Sequence, residues 1–260
     1  MTDVTAMTAE IFDSHAHYDS SAFDGDRDEV LIGLKSRGVC GVINCATDLE
    51  TARISLSLAE KYPFIYAAVG MQPQEITASG GFKEEDFLPL LSHEKCVAVG
   101  EIGLEYHYDC APKEDQLDIF SRQLDIARRV SLPVIVHDRE AHADTLRLLQ
   151  KHRVRGVVHC FSGSVEMMRE VVKMGMYIGL GGAVTFKNAR VPLEVAKNVP
   201  IDRLLLETDC PYMTPAPHRG ERNDSSLIRL TAERIAEVRN MSADEVISAS
   251  RENVRALFGV

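Results

Sequence analysis

Short apolar, β-branched runs recur along this 260-residue chain, and segments with a helical spacing of apolar residues separate most of them. The runs are mostly continuous rather than alternating, which is typical of parallel strands that are covered on both faces. There are eight, at residues 11–13, 39–45, 64–69, 96–101, 133–137, 156–159, 176–180 and 203–209. We therefore expect an α/β protein built on a parallel sheet.

Helices are predicted at residues 48–60, 111–130, 140–149, 164–174, 226–238 and 242–257. The second has the clearest apolar stripe, with Pro112 suited to its first turn. The last opens with Ser242 and Glu245, a capping-box pair. Eight strands alternating with helices predict one (β/α)8 TIM barrel domain over residues 1–260. The alternative, an open doubly wound sheet, usually shows a Gly-rich phosphate loop after its first strand, and this chain has none.

Composition places the chain among ordinary soluble globular proteins, and no run approaches the roughly 20 apolar residues of a membrane helix. The first ten residues lack the basic start and apolar stretch of a secretory signal, so we expect a cytoplasmic protein without membrane contact. The six cysteines are scattered, with no Cys-x-x-Cys pair, and are expected to be small core residues rather than disulfides.

The formal net charge is 29 − 39 = −10. An acidic chain is poorly suited to wrapping a long nucleic acid, because neutralisation of phosphates supplies most of such affinity. An enzyme that engages only the end of a strand, through metals and a few arginines, remains compatible with this charge. The charge therefore argues against a sequence-reading DNA-binding protein and not against a phosphodiesterase.

Polar side chains stand where five of the apolar runs end. They are His15 and His17 after the first run, Glu101 after the fourth, His137 after the fifth, His159 after the sixth and Asp209 after the eighth. The active sites of TIM barrels lie at the carboxyl ends of the strands, so these side chains should meet at one mouth. Burying that much polar surface without compensation costs several kcal/mol, which metal coordination would offset. The pattern predicts a metal centre.

This ligand set suggests two divalent ions, and its mixed donors are compatible with Mg²⁺, Mn²⁺ or Zn²⁺. Glu101 can bridge them with its two oxygens. The other donors divide into two groups, with His15, His17 and Asp209 in the first and His137 and His159 in the second. Two ions about 3.5–4 Å apart activate a water molecule and stabilise both oxygens of a phosphoryl transfer. We expect Asp209 to be the general base, with Glu101 as the second catalytic carboxylate.

Six stretches carry a family resemblance. They are DSHAH at 13–17, VGEIGL at 99–104, PVIVHDREA at 133–141, HCFSG at 159–163, TFKN at 185–188 and LETDCPY at 206–212. With them the chain resembles the TatD family of metal-dependent hydrolases, within the amidohydrolase superfamily, over essentially its whole length. The resemblance implies a TIM barrel, divalent metals at the same six residues, and hydrolase activity, most often magnesium-dependent deoxyribonuclease or exonuclease action.

One motif departs from the family. After the third strand the family usually carries Gly-x-His-Pro-His, and this chain has Gln72 and Gln74 in place of the histidines. Glutamine forms hydrogen bonds but cannot shuttle protons near neutral pH. A second hypothesis therefore stays open, namely an amide or ester hydrolase acting on aminoacyl-tRNA or a small molecule. A non-catalytic metal-binding protein is disfavoured, because the ligand set is intact.

Three further residues are candidates for contact with substrate. Arg222 follows the eighth strand, in a region where barrels often bind phosphate. Arg139 lies two residues beyond His137, where a phosphate contact and a structural salt bridge are equal alternatives, and His107 lies in the loop after Glu101. The leading hypothesis is a two-metal phosphodiesterase that trims nucleic-acid ends, with single-stranded DNA as substrate, working as a monomer or weak oligomer.

Overall fold

The computed structural model describes residues 9–260, which form one eight-stranded parallel sheet with strands in chain order. The strands are β1 (Ile11–Ala16), β2 (Val39–Cys45), β3 (Ile65–Val69), β4 (Cys96–Glu105), β5 (Val134–Arg139), β6 (Gly156–Val158), β7 (Tyr177–Leu180) and β8 (Leu204–Leu206). The helices are α1 (Arg27–Ser36), α2 (Leu49–Lys61), α3 (Glu84–Leu91), α4 (Lys113–Val130), α5 (His142–His152), α6 (Val165–Lys173), α7 (Arg190–Asn198), α8 (Ile228–Arg239) and α9 (Ala243–Phe258). The predicted (β/α)8 TIM barrel is confirmed.

Backbone contacts between β1 and the segment after β8 close the barrel. Asp209 N–H donates to the carbonyl oxygen of His15 at 2.9 Å, and His17 N–H donates to the carbonyl oxygen of Cys210 at 2.8 Å. Ala16 and Cys210 form a parallel bridge between them. The closing edge of the barrel therefore contains three of the residues predicted to bind metal.

A buried carboxylate, Asp13, ties the same edge together from β1. Its Oδ1 accepts hydrogen bonds from the backbone N–H groups of His15 and Thr208, and its Oδ2 accepts from the hydroxyls of Thr208 and Ser225 at 2.6 and 2.7 Å. Burial raises the pKa of Asp13 to about 6, although these hydrogen bonds oppose the shift. Asp13 thus joins β1 to two segments from the far end of the chain.

The six predicted helices are all present, with ends displaced by a few residues, and the Ser242–Glu245 capping box is confirmed. Pro112 is the residue before α4 rather than part of its first turn. Three helices were not predicted, namely α1, α3 and α7. They are short, and α3 contains Pro89, which interrupts the sequence pattern of a helix. Strand β4 runs to Glu105 rather than ending at Glu101.

His152, at the end of α5, is buried against α4, with Nδ1 2.9 Å from Asp125 Oδ1 and Nε2 2.9 Å from Ser121 Oγ. Within residues 9–260 the six cysteines are free. Three of them, Cys45, Cys96 and Cys210, are buried, and the other three are half-buried.

None of the helices in residues 9–260 combines the length and the apolar character needed to cross a membrane. Residues 1–8 lie outside the described residues. They include most of the first ten residues, from which we predicted that there is no secretory signal.

Replacing Asp13 by Ala should lower the free energy of unfolding by about 2–4 kcal/mol, because it leaves the buried donors of Thr208 and Ser225 without their acceptor. Ser225→Ala removes the hydrogen bonds of the Ser225 hydroxyl to Asp13 and to Tyr18 but leaves Asp13 as the acceptor for Thr208, and it should cost about 1–2 kcal/mol. Equilibrium urea unfolding of both variants and the wild type measures the difference. Equal losses in the two variants would contradict a central role for Asp13.

Candidate metal centre and active site

The six predicted ligands converge at the carboxyl ends of the strands, around a cavity of about 380 Å³. Five of them line it, namely His17, Glu101, His137, His159 and Asp209. His15 lies beneath them and has no solvent exposure. A cavity of this size falls within the range of about 300–1,000 Å³ that is common for small-molecule sites.

The first donor group combines side chains from β1, β4 and the turn after β8. His15 Nε2 and His17 Nε2 lie 3.0 Å apart, and each is 3.5 Å from Glu101 Oε2. Asp209 Oδ1 lies 3.5 Å from the first nitrogen and 3.3 Å from the second. Two nitrogens and two carboxylate oxygens from distant parts of the chain therefore face one point.

The second donor group uses the other oxygen of Glu101. His137 Nδ1 lies 2.8 Å and His159 Nε2 lies 2.9 Å from Glu101 Oε1, and the two nitrogens are 3.3 Å apart. The carboxylate of Glu101 thus gives one oxygen to each group. This is the division that the sequence analysis assigned to two ions.

The donor set fits divalent metal ions. Imidazole nitrogens and carboxylate oxygens bind such ions at about 2.0–2.2 Å, so donors that share one ion stand roughly 3–3.5 Å apart, and the donors within each group here lie 2.8–3.5 Å apart. His15 Nε2 and His17 Nε2 point at each other, an arrangement that needs a proton or a cation between them. Within the described residues, ligand atoms lie within 4.8 Å of one another in three overlapping groups, namely His15, His17 and Glu101; Glu101, His137 and His159; and His15, His159 and Asp209.

The carboxylates make the site attractive to positive charge. Burial lowers the pKa of His17, but the hydrogen bond to Asp209 and the charge of Glu101 outweigh it and raise that pKa to about 10. Burial also opposes protonation of His137, whose contacts with Glu101 and Glu105 raise its pKa to about 10. Burial raises the pKa of Glu101, yet the neighbouring imidazoles hold it well below its usual range. The site therefore favours either protons on His17 and His137 or cations in their place.

Residues 12–259 match a family model described as TatD related DNase. The chain belongs to the TatD family of metal-dependent hydrolases. The resemblance inferred from the motifs is thereby confirmed, together with the enzyme class of a metal-dependent hydrolase.

Individual relatives match this TatD-family chain over nearly its full length. The uncharacterized metal-dependent hydrolase YabD of Bacillus subtilis is 42% identical, covering 96% of this chain and 99% of the relative. The protein named 3'-5' ssDNA/RNA exonuclease TatD of Escherichia fergusonii is 32% identical, covering 96% and 99%. The crystal structure of YjjV, a TatD homolog from Escherichia coli K12, has a TM-score of 0.87 at 35% identity and covers 96% and 98% of the two chains.

Outer contacts orient two of the ligand histidines in this TatD-family site. His17 Nδ1 donates to the carbonyl oxygen of Cys45 at 2.8 Å, which leaves Nε2 free to bind a metal. His137 Nε2 donates to Glu105 Oε2 at 3.2 Å, which leaves Nδ1 free. Glu105 is buried, and sequence reasoning missed it. Its spacing of four from Glu101 on one strand, which places both side chains on the same face, was the available signal.

A second buried carboxylate, Glu207, was also missed. One of its oxygens accepts a hydrogen bond from the backbone N–H of Cys160, and the other has no partner among residues 9–260. Burial raises its pKa to about 8, although the charge of His159 opposes the shift. A Cβ added to Gly179 would lie 2.3 Å from Glu207 Oε2, so the position next to this carboxylate has room only for glycine.

Of the candidate substrate contacts, only Arg139 lines the cavity. It is exposed, and the ion pairs found among residues 9–260 do not include it. The structural salt bridge is therefore not formed within residues 9–260, and the phosphate contact of Arg139 stays a prediction.

The other two candidates are not part of the cavity wall. Asp26 binds Arg222 through two hydrogen bonds of 2.8 and 2.6 Å, and the guanidinium lies 4.6 Å from the centre of the Phe23 ring. Arg222 thus has a paired charge and does not line the cavity, and its contact with substrate stays a prediction. His107 contacts Glu140 at 2.8 Å and does not line the cavity.

The two glutamines that replace the family histidines do lie at the cavity. Gln72 Oε1 accepts a hydrogen bond from Gln74 N–H at 2.9 Å, and the Gln72 amide nitrogen lies 3.3 Å from Gln74 Oε1. Amide groups that can donate and accept hydrogen bonds therefore occupy this wall.

Replacing His137 by Ala removes one of the three donors of the second group. The affinity for a divalent ion should therefore fall at least about 10- to 100-fold, the loss that is typical when only an outer contact to a metal ligand is removed. Equilibrium dialysis against Zn²⁺ or Mn²⁺, followed by metal analysis, gives the affinity and the number of ions per chain. His93→Ala is the matched control, since His93 is half-buried in the turn before β4, at the opposite end of the barrel. Identical metal content in the two variants would contradict the assignment of the second donor group.

Proposed function

We propose that this TatD-family hydrolase is a phosphodiesterase that removes nucleotides from nucleic-acid ends, with single-stranded DNA as its substrate and two divalent ions as cofactors. One observation favours this function most. The unpaired cation Arg139 stands on the wall of the cavity that contains the six metal donors. Cations above a metal centre suit a substrate that carries negative charge, such as a phosphodiester.

The two carboxylates among the metal donors differ in their access to the cavity. The side chain of Asp209 is 19% exposed and that of Glu101 is 4% exposed. Asp209 can therefore take a proton from a water molecule in the cavity, whereas Glu101 holds the two donor groups together from below. Two divalent ions, when bound by these donors, would activate the water and stabilise charge on the reacting phosphate.

Arg139 would bind the non-bridging oxygens of the phosphate. Its planar guanidinium can make two parallel hydrogen bonds to phosphate, and no carboxylate among the described residues competes for it. The hydroxyl of Ser162, another lining residue, adds a neutral donor on the same wall. These groups would hold the scissile phosphate in place above Asp209.

The size and charge of the protein favour the end of a strand over its interior. The cavity holds about one small ligand, and Arg139 is the only arginine or lysine among the described residues that line it. With a net charge of −10 the chain has an excess of carboxylates to repel a long polyanion. The Escherichia fergusonii relative, which is named an exonuclease, supports this choice.

Because all six donors come from one chain, the reaction needs no second subunit, which fits a monomer or weak oligomer.

Gln72 and Gln74 favour a second candidate, hydrolysis of an amide or ester. Their amides line the cavity and can bind a carbonyl or amide group of a substrate, whereas neither can exchange protons with a leaving group near neutral pH. Turnover of aminoacyl esters and amides, compared with that of phosphodiesters, separates the two candidates.

Incubated with Mg²⁺, Mn²⁺ or Zn²⁺, the protein should release mononucleotides from end-labelled single-stranded DNA, and His137→Ala should lose at least about 100-fold of this activity. Gel electrophoresis of the labelled products follows the reaction. If the wild type and His137→Ala release equal amounts, or if only acyl substrates turn over, the phosphodiesterase proposal is wrong.

Replacing Arg139 by Ala should lower kcat/KM for the oligonucleotide by about 10- to 100-fold, which corresponds to the loss of a charge-assisted hydrogen bond. Arg222→Ala is the matched control, because Arg222 is paired with Asp26 away from the cavity, and its activity should stay within about two-fold of the wild type. Steady-state kinetics on a short oligonucleotide give both values. A larger loss in Arg222→Ala than in Arg139→Ala would reverse the assignment.

A further inference from the structure

An exposed aromatic ring stands on the wall of the candidate active site. Tyr212 is 60% exposed, and it lines the same cavity as the metal donors and Arg139. Three other large hydrophobic residues within 9–260 are comparably exposed, namely Ile32, Tyr108 and Val191, and none of them lines this cavity. An aromatic face that is open to solvent beside the candidate metal centre is available to stack against a planar ligand.

The backbone that carries this ring is held in place. Tyr212 N–H donates to the carbonyl oxygen of Asp209 at 2.9 Å. The buried side chain of Asn223 donates to the carbonyl oxygens of Tyr212 at 2.7 Å and of Thr208 at 3.1 Å. The ring is thus an open side chain on a rigid turn, directly linked to the proposed general base. A fixed aromatic surface loses little entropy when it binds a planar ligand.

We propose that Tyr212 is a stacking platform for an unpaired nucleobase at the end of the bound strand, a role that rests on the proposed phosphodiesterase function. With the phosphate at Arg139 and the metal donors, the base attached to that nucleotide lies against the cavity wall. A base in a duplex is already stacked and paired, so it would have to leave its neighbours to reach the ring. An unpaired end has no such cost, and the platform therefore selects single-stranded ends.

Stacking on an aromatic ring is tolerant of base identity, because every base has a π-face. The platform should accept purines and pyrimidines alike and discriminate against a nucleotide that has no base. Loss of the ring should weaken binding of the terminal nucleotide by about 5-fold or more. The hydroxyl is not needed for this contact, so Tyr212→Phe should keep the affinity of the wild type.

Binding can be measured directly, without turnover. An oligonucleotide with 2-aminopurine at its 3′ or its 5′ terminal nucleotide and a cleavage-resistant terminal linkage is titrated with the metal-loaded protein, and the fluorescence of the probe is recorded. Stacking on Tyr212 should quench the probe at one of these ends, in the wild type and in Tyr212→Phe but not in Tyr212→Ala. Tyr108→Ala is the matched control, because Tyr108 is 58% exposed, lies against His107 and does not line the cavity. Quenching that survives in Tyr212→Ala, or that is lost in Tyr212→Phe, would overturn the proposal.

Turnover supplies an independent check with the metal-loaded enzyme. The ratio of kcat/KM for an oligonucleotide with a normal terminal nucleotide to that for one with an abasic terminal nucleotide should fall towards one in Tyr212→Ala and stay high in Tyr212→Phe. An unchanged ratio in Tyr212→Ala rejects the platform while leaving the phosphodiesterase intact. Failure of the wild type to cleave either oligonucleotide rejects the proposed function itself.

Discussion

One buried carboxylate holds the candidate site together. Glu101 lies on β4 with its two oxygens turned towards different histidine pairs, at 2.8 and 2.9 Å on one side and at 3.5 Å on the other. A buried carboxylate is strongly destabilising unless positive charge compensates it. The histidines of β1, of β5 and at the end of β6 therefore have to reach this one group, and only a sheet that curves into a closed barrel brings them there.

The stability of the barrel and the geometry of the site depend on the same residues. The backbone of His15 accepts the hydrogen bond from Asp209 that helps to join β1 to the segment after β8. Asp13, two residues earlier, binds Thr208 and Ser225 on the opposite side of that junction. Any loosening of the closing edge would move His15, His17 and Asp209 relative to one another. The metal donors of the first group are thus positioned by the contacts that complete the fold.

Sequence reasoning predicted the barrel and the convergence of six polar residues for a common reason. Parallel strands buried on both faces are continuous apolar runs, and the residue that ends such a run is at the mouth of the barrel. Glu105 was missed as a functional residue because β4 was predicted to end at Glu101. The strand continues through Gly103, whose φ of +149° and whose contact with the His137 backbone leave no space for a Cβ. In the sequence, a glycine such as Gly103 resembles the end of a strand, although here it allows β5 to approach closely.

The place of Arg222 could not be predicted in the same way. Its partner Asp26 lies near the other end of the chain, just before a short helix, α1, that the apolar pattern did not reveal. No spacing rule links two loop residues so far apart, and only the tertiary structure shows that their charges neutralise each other. Arg139 follows β5 directly, so the strand itself fixes its place at the mouth. Residues at strand ends were therefore predictable, and residues whose position depends on contacts between loops were not.

An acidic protein that acts on a polyanion must use short-range attraction, since its long-range field is repulsive. The cavity offers donors for cations, a single guanidinium and the ring of Tyr212. A charge-assisted hydrogen bond contributes about 1.5–3 kcal/mol and a stacked base about 1–3 kcal/mol, so the ring and Arg139 are comparable in strength. Unlike the guanidinium, the ring does not depend on charge and is not weakened by the surrounding carboxylates. Stacking on Tyr212 would then add affinity that the repulsive charge of this chain does not reduce, and it would do so only for a strand whose terminal base is unpaired.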